Sequence, residues 1–162
     1  MSFLAQTLLV DDQYIRLEIW DTAGQERYVC RFPPSLPPLI TQPSLHPQQR
    51  ALVPMYYRDA VAAVVVYDIT DTQTFEIAKQ WVEEMHQRAD PHIVIAFVGN
   101  KTDREAERVV STEQGAAFVR SLEAAGMCAF AAECSAKSGA GVHDLFVSLG
   151  RTIIDLSTRL NV

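Results

Sequence analysis

Three short stretches carry residue types whose spacing could do chemistry. The first is Trp20-Asp21-Thr22-Ala23-Gly24-Gln25-Glu26. A carboxylate at Asp21 can hold a hard Mg2+ through water. Gly24 has no Cβ, so its backbone N–H can approach a terminal phosphate closely. The amide of Gln25 can orient an attacking water. The second stretch is Asn100-Lys101-Thr102-Asp103. A carboxylate at Asp103 can accept two N–H bonds from a guanine edge, N1–H and the exocyclic amine, a donor pair that adenine lacks. Asn100 can bond the base and tie neighbouring loops together, and the Lys101 stem can lie over the purine face. The third is Ser135-Ala136-Lys137. There the Ala136 backbone N–H can donate to the guanine carbonyl, with Ser135 and Lys137 shaping the loop.

Each stretch has a bland counterpart. N-K-x-D alone occurs by chance in roughly a few per cent of chains this size, as an Asn/Asp turn after a strand. Ser-Ala-Lys alone is a polar strand-to-helix connection. In order, each at the C-terminal end of a predicted strand, the three match by coincidence well under ~1% of the time.

The elements that must position them follow from hydrophobic periodicity. Phe3–Val10 reads as a strand, 11–13 as a polar turn, and Tyr14–Trp20 as a returning, half-buried strand, so the chain opens on a β-hairpin. Val61–Ile69 is a near-continuous β-rich run, as expected of a strand covered on both faces. A helix starts at Asp71 or Thr72, with Phe75, Ala78, Val82 and Met85 on one face, and Pro91 closes it. Ile93–Val98 is a buried-type strand, 104–108 a charged loop, and Ser111 with Gln114 a capping box for a helix to about Leu122, with Gly126 as its stop. Cys128–Cys134 is the last strand. A final helix has Val142, Leu145, Phe146, Leu149, Ile153 and Leu156 at helical spacing. Strands alternating with helices from residue 61 mean βαβ units and a parallel sheet.

One segment breaks the pattern. Val29–Ala51 holds six of the eight prolines and no acid, which excludes helix and a central strand. It reads as a disordered or polyproline-II-like loop of unusual length. Leu52–Arg58 reads as a short helical segment.

At 162 residues the chain is one domain with a real core. Its 48% hydrophobic and 21% charged residues are those of a water-soluble globule. A net charge of −6 with no basic cluster argues against nucleic acid as a partner. Cys30, Cys128 and Cys134 are odd in number and lack metal spacing, and read as reduced thiols of a cytoplasmic protein. No signal-peptide pattern is visible, and no apolar run approaches the ~20 residues of a membrane span.

The run WDTAGQERY, with LVPMYYRDA, VVVYDIT, NKTD and SAK, resembles the Rab branch of the Ras-superfamily small GTPases, in the style of its early-endosomal group. The resemblance covers 3–28 and 52–158. It implies an α/β P-loop-NTPase-like G domain with a doubly wound, mostly parallel sheet, incomplete here because the family's first strand and helix precede the matched part. In the family that strand lies mid-sheet between the Tyr14–Trp20 and Val61–Ile69 strands; without it the two pair directly or leave exposed edges. The resemblance further implies GTP/GDP and Mg2+ as cofactors, a guanine-nucleotide switch of vesicle and endosomal transport, and Rab effectors and regulators as partners. Asp21 would serve Mg2+, Gly24 the γ-phosphate and Gln25 the hydrolytic water. Asn100, Lys101, Asp103, Ser135, Ala136 and Lys137 would form the guanine pocket.

Three departures qualify that expectation. No G-x-x-x-x-G-K-[ST] occurs in the chain, and the family's switch I threonine is absent. Losing about five charge-assisted phosphate contacts costs ~6–10 kcal/mol, or four to seven decades of affinity. Weak nucleotide binding and no useful hydrolysis are therefore expected. Residues 29–51 stand where Rabs have a couple of residues, so they read as an insertion into switch II of a single partial domain spanning 1–162. No C-terminal cysteine is present, so no prenyl anchor is expected. Arg31-x-x-Pro34-x-x-Pro37 fits an SH3-ligand pattern, although unselected filler outweighs that reading by about four to one. The alternative from another class is a non-enzymatic Rab-like protein that competes for Rab partners or SH3 domains.

Overall fold

The structure is a computed structural model that describes residues 2–21 and 60–160. Within them, β1 (Ser2–Val10) and β2 (Gln13–Asp21) form a two-stranded antiparallel sheet, and β3 (Ala62–Asp68), β4 (Val94–Asn100) and β5 (Cys128–Glu133) form a parallel one in the order β3-β4-β5. The helices are α1 (Thr72–Arg88), α2 (Thr112–Ala124) and α3 (Val142–Leu160). A three-stranded parallel sheet with flanking helices, beside a separate hairpin, is an incomplete P-loop-NTPase-like α/β fold.

The hairpin turns at Asp11 and Asp12, with φ of 46° and 63°. Two successive left-handed residues match the twist of a tight hairpin, and aspartate tolerates that region better than most side chains. Register pairs Phe3 with Trp20, and their rings meet at 4.8 Å. Ile15, Leu17 and Ile19 are half-buried and alternate with exposed neighbours, as the sequence pattern requires. The hairpin docks on α3. A Cβ on Gly150 would lie 3.0 Å from Ile15 Cδ1 and 3.1 Å from Val10 Cγ2, so a larger residue there would have to push these side chains back. Arg151 closes the contact with Asp11 through bonds of 2.8 and 2.9 Å.

The core has two halves, one on each face of the parallel sheet. On one, Val65, Tyr67, Ile95 and Phe97 meet Phe75, Ala78, Val82 and Met85 of α1, together with Val119 and Leu122 of α2. On the other, Val94, Ala96 and Val98 pack against Leu145 and Leu149 of α3. β4 is buried from Val94 to Gly99, as a central strand should be.

Two expectations need correction, the covering of β3 and the charged loop, and others hold. β3 is not covered on both faces: Val64 and Val66 are exposed, because α3 lies over β4 on that side. Of the two outcomes expected for β2 and β3, the second holds: they do not pair with each other, and no described strand pairs with the outer edge of either. The charged loop at 104–108 is largely a 3-10 helix, Thr102–Glu107, knit by Arg104–Glu107 and Arg108–Glu105 pairs one turn apart. The capping box is present in both directions, Ser111 Oγ accepting from the Gln114 N–H and Gln114 Oε1 from the Ser111 N–H. Gly126 takes the expected left-handed stop, with φ of 86°. Gly24, Gln25, Cys30, the proline-rich segment 29–51 with Arg31–Pro37, and the segment 52–58 lie outside the described residues, apart from which Cys128 and Cys134 are free thiols.

Candidate functional site

Two loops meet at the C-terminal ends of β4 and β5, where open α/β sheets carry their ligand sites. Parallel pairing puts Gly99 beside Glu133, so the residues after each strand emerge as neighbours. Backbone bonds then staple the loops, Cys134 N–H to Gly99 O at 2.8 Å and Thr102 N–H to Cys134 O at 3.2 Å.

Side chains complete the join. Asn100 Oδ1 accepts from the Lys101 N–H at 2.8 Å and from the Ala136 N–H at 3.0 Å. One amide oxygen thus holds both loops. The Ser135 hydroxyl, fully buried, donates to Asp103 Oδ1 at 2.6 Å and accepts from the Ser138 N–H at 3.1 Å. That hydrogen bond holds the Asp103 carboxyl below the usual carboxylate range, so the group is ionised at neutral pH. Lys137 Nζ stands 3.8 Å from Asp103 Oδ2 and is itself well exposed. Lys101 adopts a left-handed φ of 73° and caps the 3-10 helix.

Asn100, Lys101, Asp103, Ser135, Ala136 and Lys137 are therefore one cluster. Asp103 keeps an acceptor-only carboxylate, Oδ1 toward Ser135 and Oδ2 toward Lys137, chemistry that suits the paired donors of a guanine edge. The Ala136 N–H is engaged by Asn100 within the protein, so a base carbonyl would share that donor. Asp21 lies exposed at the end of β2, on the hairpin sheet. No group of three or more His, Cys, Asp or Glu side chains that could hold a metal ion occurs among the described residues.

Sequence reasoning missed three contributors. Asp68, the last residue of β3, pairs in register with Asn100 and holds Lys101 Nζ at 2.6 Å. Arg108 reaches Glu133 through bonds of 2.8 and 2.9 Å and so fastens the 3-10 segment to the strand that delivers Ser135. Gly141 has φ of 72°, and a Cβ there would stand 2.6 Å from Glu133 O, so the loop after Ser135 requires glycine. Only Asp68 left a trace in the sequence, as an acid directly after an apolar run.

The profile of the Ras family matches residues 1–34 and 47–155. The chain belongs to the Ras family. Among its relatives, the ras-related protein Rab-5B of Dictyostelium discoideum is 40% identical over 154 residues, 95% of this chain. The chain spans 60% of that relative's length. Its likeness within the Ras family is thus to the Rab type, as the WDTAGQERY run implied.

Proposed function

We propose that the loops after β4 and β5 grip the guanine base of GTP or GDP, and that this Ras-family chain is of the Rab type, whose intact members switch vesicle transport on endosomal membranes, with nucleotide binding and hydrolysis impaired in these 162 residues. The observation that carries the base assignment is the ionised Asp103, aimed by the buried Ser135 hydroxyl and joined through Asn100 to the second loop. An acceptor-only group at that place selects guanine over adenine. The transport role is supported by the similarity to a Rab-5B. Asp21, with Gly24 and Gln25 just beyond the described strand, is the proposed phosphate, Mg2+ and water side.

These 162 residues contain no G-x-x-x-x-G-K-[ST], so the nucleotide is held here chiefly by its base. On that reading the affinity of this polypeptide falls ~four to seven decades below that of a site with a full phosphate cradle, and hydrolysis is negligible. Titration of GDP and GTP, with and without Mg2+, tests both parts. Binding of GDP but not ADP, abolished by Asp103→Ala, supports the base site. Sub-micromolar GTP affinity refutes the weak-binding part, and equal binding of ADP refutes the base assignment.

A further inference from the structure

Asp68 stands on β3, outside both loops, yet it touches the one that bears Asp103. Its two carboxylate oxygens are divided. Oδ1 accepts from the Thr70 N–H at 2.8 Å and from the Thr70 hydroxyl at 2.7 Å, and Oδ2 pairs with Lys101 Nζ at 2.6 Å. The Asp68 N–H in turn donates to Thr74 Oγ1 at 2.9 Å, and the neighbouring Ile69 N–H donates to Asn100 O at 3.1 Å. The carboxylate is thus fixed by its own strand end before it meets the lysine. Its side chain is 14% exposed, against 46% for Lys101. In a pair of this kind the acid is the anchor, and only the lysine stem gives up freedom. Burial pushes the Asp68 carboxyl up, but the hydrogen bonds from Lys101 and Thr70 outweigh it and hold the group below the usual carboxylate range. Lys101 needs such an anchor, because its left-handed backbone sits between Asn100 and the 3-10 helix, where no other described side chain engages its ammonium.

We infer that Asp68 is a positioning residue of the base site: it holds the Lys101 ammonium, so that the lysine stem stands as a fixed wall beside Asp103 and Asn100. The use given to that wall rests on the guanine reading above, whereas the clamp itself rests on the geometry alone.

Amine acylation read by mass spectrometry separates the two. The chain has three lysines, Lys79, Lys101 and Lys137, so each reports individually. At neutral pH without nucleotide, Lys101 is expected to acylate ~10-fold more slowly than the open Lys137, the worth of one charge-assisted bond. Asp68→Asn is expected to raise the Lys101 rate ~5- to 10-fold and to leave Lys79 and Lys137 within ~2-fold. Asp68→Glu, which keeps the charge, is expected to restore most of the protection. Should Asp68→Asn fail to fold, Thr70→Val, which keeps the carboxylate but loosens it, is expected to raise the Lys101 rate ~2- to 3-fold. An unchanged Lys101 rate in the folded variants overturns the clamp, whatever nucleotide does. Repeating the measurement with millimolar GDP reads the role. Protection of Lys101 by GDP in the wild type, with ~5- to 10-fold more GDP needed in Asp68→Asn, supports it. Equal GDP requirement in the two proteins overturns the positioning role while leaving the guanine reading intact. No GDP protection in the wild type overturns the guanine reading, and with it the role of the clamp.

Discussion

Glu105 and Glu133 both bond Arg108 with good geometry, yet they should differ widely in what they contribute. Arg108 Nε and Nη2 each lie 2.7 Å from Glu105, one turn back on the surface. Nη1 and Nη2 lie 2.8 and 2.9 Å from Glu133, and Nη1 also donates to Val110 O at 3.0 Å. The Glu105 side chain is 65% exposed, whereas those of Arg108 and Glu133 are 16% and 23% exposed. A pair one turn apart whose acid is mostly in solvent is screened and contributes little. A half-buried bidentate pair that joins segments 25 residues apart is screened much less; two charge-assisted bonds, discounted for the solvent that remains, give about 1–2 kcal/mol. Glu133→Gln is therefore expected to cost about 1–2 kcal/mol in urea unfolding and to lower the thermal midpoint by ~3–6 °C, keeping its bond from Thr112. Arg108→Met should cost slightly more, since Glu133 then loses its cation. Glu105→Gln should cost no more than about 0.5 kcal/mol by the same measurements. The double variant of Arg108 and Glu133 should show a coupling of ~1 kcal/mol. Equal effects of Glu105→Gln and Glu133→Gln, or a coupling under ~0.3 kcal/mol, would refute the claim that burial and span decide the worth of the pair.

Other outcomes follow from single contacts. Phe97→Ala removes a fully buried ring that meets Tyr67, Phe75 and Phe118, and should destabilise by ~3–5 kcal/mol in denaturant melts. Gly150→Val places a branched side chain against Ile15 and Val10; hydrogen exchange should quicken in β1 and β2 while β4 keeps its protection. Because the folded Asp68 carboxyl is depressed below the ordinary value of 3.8, its contribution is present above that pH and is lost as pH falls through the folded value. Acid titration of stability should accordingly show a shallower loss below pH ~3.8 in Asp68→Asn than in the wild type. Ser111→Ala breaks the capping box and should cost ~1 kcal/mol by urea unfolding, without altering the loops after β4 and β5.

Much of the fold was legible because short-range periodicity and long-range packing agree on it. The apolar face of α1 was read as Phe75, Ala78, Val82 and Met85, and these are its buried residues. The capping box at Ser111 is a local device, so three residues sufficed to read it. Exposure of Val64 and Val66 was not legible, because apolar residues on a strand say nothing about which of its faces a helix reaches. The site is legible as three motifs, and the six candidate residues of the two later ones gather in one place. What stayed hidden was their support. The Asp68–Lys101 and Arg108–Glu133 pairs join residues 33 and 25 positions apart, whose approach depends on strand register and a helical turn rather than on spacing. The 3-10 helix was masked for the same reason, since charge alone reads as solvated loop.

The docking of the hairpin on α3 bears on how the chain reaches this structure. β1 and β2 form around a turn of two residues, a local event on the scale of microseconds. β3, β4 and β5 assemble through successive βα units, each closing a few tens of residues. The Asp11–Arg151 contact instead spans 140 positions. Closing so long a loop is entropically the costliest step, and little compensates it before Val10 and Ile15 seat against Gly150. The hairpin should therefore join last and leave first, and the C-terminal sheet with its paired loops should hold together as a separate cooperative unit while the hairpin is adrift.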